Sequence, residues 1–216
     1  MALAADGNCG GGAINAAATI TTGTMSTTGA PSETLVATIY MEGGAAAASV
    51  TSITDSGSQT NFTLVDRFTT GDGFVSNLEV WKSNIATNLS GVSFTFHINT
   101  SGALYDCASC CVLAVSGTSG VLDPNGALPA TTKYTGSANP VNVSTSNAND
   151  MLLACAGIAA NHNLANDTVT TYTRGATGTS ESNSHSASAG IAYDIVSSTQ
   201  SSVSTQPWSG NPNLVV

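Results

Sequence analysis

Hydrophobic and polar positions alternate with period two over residues 92–99, where Val92, Phe94, Phe96 and Ile98 interleave with Ser93, Thr95, His97 and Asn99. That period predicts a strand with one buried and one wet face. Residues 34–41 read the same way, with Leu35, Ala37 and Ile39 opposite Val36, Thr38 and Tyr40. Two runs are apolar on both faces, Cys110-Cys111-Val112-Leu113-Ala114-Val115 and Met151-Leu152-Leu153-Ala154-Cys155-Ala156. Ala, Leu and Met favour helix, so a short buried helix over 151–160 is the alternative. A central strand covered on both sides carries the same pattern and is the preferred assignment. Further β-branched or aromatic runs place strands at 16–22, 50–54, 62–68, 76–82, 107–116, 141–144, 151–159, 168–174 and 186–197.

Turn chemistry separates these runs. Asp55-Ser56-Gly57 and Gly71-Asp72-Gly73 are hairpin or loop signals, and Asp123-Pro124-Asn125-Gly126 is a turn. Residues 175–190 are polar and unpatterned and read as an exposed, mobile loop. Residues 1–12 are small and close on Gly10-Gly11-Gly12, which reads as a flexible Gly-rich N-terminal arm. The expected organisation is an arm over 1–12, one β-sandwich domain over 13–206, and a C-terminal tail or short closing strand over 207–216. The fold class expected is all-β, a jelly-roll-like antiparallel β-sandwich.

Composition narrows the partners. Ser and Thr supply 58 of 216 residues, while only 8% are charged and the net charge is −9. Hydroxyl side chains of good β-propensity make a polar sheet surface without charge. The four basic residues, Arg67, Lys82, Lys133 and Arg174, are scattered. A phosphate backbone needs clustered Lys and Arg, so the expectation is no nucleic acid and no anionic membrane surface. No stretch of about 18 apolar residues predicts a membrane span. The first residues lack the basic and apolar regions of a secretory leader, so assembly without export is expected.

Candidate chemistry is sparse. His97 falls on the wet face of a strand, and His162 and His185 fall in loops. No G-x-S-x-G elbow accompanies them. Glu79 stands mid-strand beside Trp81 and would serve a glycosidase only with a second carboxylate about 5–10 Å away. Five cysteines cannot all pair within the chain. If 107–116 is a strand, Cys107 and Cys111 face one side and Cys110 the other, so they cannot converge on one metal. The expectation is no enzyme, no cofactor and no metal.

Several segments resemble a loosely defined group of jelly-roll-like domains in phage virion proteins and bacterial surface or secreted proteins. They are Val50-Thr51-Ser52-Ile53-Thr54-Asp55-Ser56-Gly57 with its continuation to Val65, Val80-Trp81-Lys82-Ser83-Asn84-Ile85, Val112-Leu113-Ala114-Val115-Ser116-Gly117 with Leu122-Asp123, and Asn149-Asp150-Met151-Leu152-Leu153-Ala154. They follow the group's order across residues 34–160. Two departures stand out: Ala114-Val115 replaces a Glu-Tyr pair, and the closing strand after Trp208 is nearly absent. That strand is expected to be very short or completed by a neighbouring subunit.

The resemblance implies a virion structural protein, a phage head decoration protein assembled in the host cytoplasm. Its expected partners are the major capsid protein and copies of itself, as a homo-oligomer with a trimer as one count. Trp208, Cys9 and Leu3 are the candidate partner-contact residues, Trp208 with a core role as its rival. The alternatives are an extracellular or cell-surface role as tail-fibre adhesin or carbohydrate-binding module, with a glycan on Trp81, Tyr172 or Tyr193, or a filament subunit.

Overall fold

The computed structural model describes residues 2–14, 17–43, 48–70, 75–99, 106–133, 140–159, 163–181, 186–209 and 213–215. In chain order the strands are β1 (Ala4–Ile14), β2 (Thr19–Met25), β3 (Glu33–Glu42), β4 (Ser49–Asp55), β5 (Thr63–Thr69), β6 (Asn77–Ile85), β7 (Val92–Asn99) and β8 (Cys107–Ser116). There follow β9 (Thr131–Thr132), β10 (Val141–Val143), β11 (Met151–Ala159), β12 (Thr173–Glu181), β13 (Ser186–Ile195), β14 (Val203–Thr205) and β15 (Asn213–Val215). One 3-10 turn spans Leu164–Asn166. The chain is thus all-β, and its antiparallel sheets pack on one another in a sandwich-like stack.

A central sheet has the order β1-β8-β3-β6-β5 and a small sheet the order β2-β7-β4. A C-terminal sheet runs β12-β13-β11-β15-β9, and β10-β14 form a ribbon. Phe94 and Phe96 of β7 pack with Leu35, Ile39 and Trp81 between the small and central sheets. The Phe62 ring stands edge-on to Phe94 with centroids 5.9 Å apart. Val36, Tyr40, Leu78, Cys111 and Leu113 pack with Cys155, Ala189 and Ile191 between the central and C-terminal sheets. Val141, Val143, Ala154, Ala192, Leu164 and Trp208 form a third core on the far side. Each fully buried Phe or Leu in these layers contributes about 1.5–3 kcal/mol.

The central sheet is therefore covered on both faces, which explains why all ten residues of β8 are buried. Cys107 and Cys111 do face one layer and Cys110 the other, as alternation requires. Residues 151–159 form a strand, paired with β13 along their whole length. The wet face expected for residues 34–41 is a correction: Val36, Thr38 and Tyr40 are buried because the C-terminal sheet lies over them.

Three other expectations change. The flexible arm over 1–12 does not hold from residue 4 onward, because β1 pairs with β8 from Ala4↔Ser116 to Ile14↔Cys107. Its glycines are there for close approach rather than freedom. A Cβ on Gly10 or Gly12 would overlap the backbone of β12, and one on Gly11 would lie 2.6 Å from Thr21 O of β2. The exposed, mobile loop over 175–190 is instead largely β12 and β13, paired through Gly178↔Ala189. Finally, Asp55 does build a turn, accepting from the N–H groups of Gly57, Gln59 and Thr60. That turn leads from the small sheet to the central sheet rather than closing a hairpin. The 71–73 turn lies outside the described residues.

Candidate functional site

Between the central and C-terminal sheets, on the β6–β5 side, lies a cavity of about 450 Å³. Its floor is apolar, formed by Val36, Val65, Val80 and Val115 of the central sheet facing Met151 and Leu153 of β11. Among the described residues, β15 covers β11 at Cys155, Ala156 and Gly157 of its nine residues, and the cavity lies beside the remainder. The size and apolar lining with a few polar groups at the rim are those of a ligand or peptide site. At that rim Lys82 Nζ donates to Gly120 O over 2.8 Å. Val121 and Leu122, 78% and 51% exposed, stand beside it.

Two carboxyl groups meet at the same rim. Asp123 accepts from the N–H groups of Asn125, Ser146 and Asn147 and from the Asn147 side-chain amide. Partial burial opposes ionisation, but the Ser146, Asn125 and Asn147 amides outweigh it and hold Asp123 at about 2. Asp150 is raised to about 6 by burial and by the neighbouring Asp123 carboxylate. Asp150 Oδ2 is buried with no donor, since it faces a second carboxylate. Once Asp150 carries a proton, that contact becomes a hydrogen bond. Asp6 and Glu33 repeat the device at the far edge of the central sheet. Asp6 accepts from Thr28 N and Gly29 N, and burial beside the Asp6 carboxylate raises Glu33 to about 7.

Glu79 is committed elsewhere. It is 0% exposed, and its oxygens accept from Trp81 Nε1, Arg67 Nε and Val50 N. The Val50 bond ties β6 to β4 next to the bulge between Val50 and Ser52. Burial raises its pKa against the pull of Trp81 and Arg67. With both oxygens accepting hydrogen bonds and the side chain fully buried, Glu79 is a cross-sheet tie. His97 Nε2 shares a hydrogen bond with Thr54 Oγ1 at 2.9 Å on the outer face of the small sheet. His162 and His185 lie outside the described residues.

The sequence-derived contact residues are not together. Trp208 is 1% exposed, its ring lies against Gly190, and its indole N–H has no acceptor among the described residues. A partner reaches that ring only by opening the third core. Cys9 is buried in β1, where its thiol donates to Thr22 Oγ1 over 3.3 Å. Leu3 is half-buried and lines the cavity. All five cysteines are buried thiols; burial pushes Cys155 up to about 12. Among the described residues no His, Cys, Asp and Glu group is placed to hold a metal. Trp81 and Tyr172, proposed glycan platforms, are buried, and Tyr193 is half-buried against the inner core.

Fold and site together define a class: an all-β, multi-sheet protein with buried acids and an apolar inter-sheet cavity. In comparisons with protein-family models, curated proteins and solved structures, nothing matches this chain.

Proposed function

We propose that the chain is a non-enzymatic structural protein of a virion surface, a phage head decoration protein that holds the major capsid protein and copies of itself. The observation that carries this reading is strand order. β1-β8-β3-β6 face β2-β7-β4, an order that supports a jelly-roll-like reading in which the fifth strand has moved across to pair with β6. Jelly rolls are the recurrent fold of viral capsid domains and lectins. The C-terminal sheet is then an added layer that stiffens the roll.

The engaged state of Glu79 favours a structural role over glycan cleavage. The burial of Trp81 and Tyr172 removes two aromatic platforms from the adhesin reading. Decoration works through many weak contacts multiplied by symmetry, with a trimer as the first count to test. Immunogold electron microscopy of virions, with antibody against the recombinant chain, tests it. Gold on heads is expected. Gold on tails moves the chain to the adhesins, and unlabelled particles beside labelled cells or filaments overturn the virion reading.

A further inference from the structure

Two acids meet where β1 begins to pair with β8. Asp6 is left out of register between Ala5 and Gly7, and that bulge turns its carboxylate to the neighbouring turn. There Oδ2 accepts from Thr28 N over 2.6 Å and from Gly29 N over 2.7 Å, and Oδ1 accepts from Thr28 Oγ1 over 2.7 Å. Glu33 opens β3 beside it. It is 2% exposed, and among the described residues neither of its carboxyl oxygens has a hydrogen-bond partner of good geometry. Around it β8 supplies Ser116, β6 supplies Ile85, the turn supplies Thr27, and the 117–129 segment supplies Thr118, which donates to Ser32 O. None of these side chains carries a charge; the charge that faces Glu33 is the Asp6 carboxylate. The basic side chains work elsewhere: Arg67 on Glu79, Lys82 on Gly120 O, and Arg174 on Ala165 O and Asp167 O. Lys133 follows β9 in the C-terminal sheet.

Asp6 has three donors and stays ionised. An ionised Glu33 would be a buried charge without donors facing a second carboxylate, and two carboxyl groups sharing such a site do not both ionise. A proton on Glu33 turns that repulsion into an O–H···O bond to Asp6. We infer that Asp6 and Glu33 share one proton as a latch, closed in acid and open at neutral pH, that fastens residues 4–6 of β1 and residues 27–29 to the start of β3. Packing decides which part moves. β3 is held between β8 and β6, whereas among the described residues β1 pairs with β8 alone. Opening stops at Gly7, where a Cβ would lie 2.6 Å from Ser26 O; beyond it the glycines of β1 seat on β12 and β2. The released segment takes Leu3 away from the inner core against which it packs. It also uncovers the end of β8 at Val115 and Ser116, the partners of Ala5 and Ala4. The inference goes beyond the virion reading and does not depend on it, since the latch works the same way in any assembly.

The test is hydrogen exchange of the full chain followed by NMR, read as protection factors of the Thr28 and Gly29 amides between pH 6 and pH 8. Burial first, then Asp6, raises Glu33 from 4.5 to about 7 against the pull of Thr27. The latch is therefore whole below pH 4.5 and is lost as pH rises through about 7. Both protection factors are expected to fall about tenfold from pH 6 to pH 8. The Thr38 amide, buried in β3 between β8 and β6, should stay better protected than either by about tenfold or more. Glu33→Gln gives Asp6 a donor at every pH and is expected to abolish the fall. If that variant misfolds, Asp6→Asn carries the same expectation, because its side-chain amide donates to an ionised Glu33. Protection that stays flat in the unmodified chain overturns the inference, as does a fall of equal size in the variant. Equal exchange at Thr28 and Thr38 also overturns it, because the opening is then global. So does recovery of protection at pH 8 on adding calcium chloride, because a cation then joins the two acids in place of a proton. Immunogold labelling bears on none of these outcomes.

Discussion

The two edges of the interface between the central and C-terminal sheets are built in opposite ways. At the β1–β12 edge the sheets meet backbone to backbone: a Cβ on Gly178 would overlap Cys110 O and lie 2.8 Å from Gly11 O. At the β5–β15 edge the same sheets stand apart around about 450 Å³ of apolar space. Sheets with ordinary side chains pack about 10 Å apart. Glycines close the interface below that spacing at one edge, and at the other larger side chains such as Val65, Val80, Met151 and Leu153 line a gap. One interface therefore holds both the tight join of the two sheets and the apolar cavity.

The largest expected effect is at the closed edge. Gly178→Val is expected to cost more than about 3 kcal/mol, or to prevent folding, because backbone atoms cannot yield as a side chain can. Urea unfolding followed by far-ultraviolet circular dichroism measures it. Gly23→Ala is the control: its Cβ would come no nearer than 3.9 Å to Gly10 O, and it should stay within about 0.5 kcal/mol. If both glycines tolerate substitution equally, the sheets are not in backbone contact in solution and the comparison fails.

This contrast was only half legible in the sequence. Strong period-two alternation gave β7 its bounds, and runs apolar on both faces marked β8 and β11 as central. β1 carried no such signal, since Gly7, Gly10, Gly11 and Gly12 leave a periodicity reader nothing to count. A glycine run needed for close sheet contact looks the same as a flexible arm. β12 was hidden likewise by Gly175 and Gly178 among Thr and Ser. Asp123 and Asp150 were visible as a turn acid and an element end, but 27 positions of chain separate them. Their pairing depends on the 117–129 segment folding back over β11, and no local pattern encodes that. The cavity was least legible, because its lining comes from β3, β5, β6, β8, β11 and the 117–129 segment, and no local pattern encodes their meeting.

A matched truncation on each edge sharpens the comparison at intermediate cost. Leu113 is fully buried near the closed edge, where a Cβ on Gly175 would already touch its Cδ2 at 2.8 Å. Leu113→Ala is expected to cost about 3 kcal/mol, because its tight surroundings cannot collapse into the hole. Val65 already borders empty space, so Val65→Ala should cost less than about 1 kcal/mol. Equal losses in denaturant unfolding would mean that the cavity is closed in solution.

The smallest effect is a pH dependence written into the cavity's rim. Asp150 has an ordinary pKa of 3.8 and is raised to about 6 in the fold, while Asp123 is held at about 2. The two titrate as a coupled pair, in two steps that belong to both. The raised group stabilises the fold fully below pH 4, and this is lost as pH rises through about 6, since the folded chain binds the extra proton. The lowered group works in reverse, its contribution present above pH 4 and lost towards pH 2. Glu33, raised from 4.5 to about 7 beside Asp6, adds a second decline between those values. Tm is thus expected to peak near pH 4 and fall by a few degrees towards pH 7.5. Asp150→Asn keeps a donor to Asp123 without a titrating proton, so it should flatten the decline between pH 4 and 6. The Glu33 portion up to pH 7 should remain. An unchanged Tm profile in Asp150→Asn would show that the two carboxyls do not share a proton, and that the rim of the cavity is open in solution.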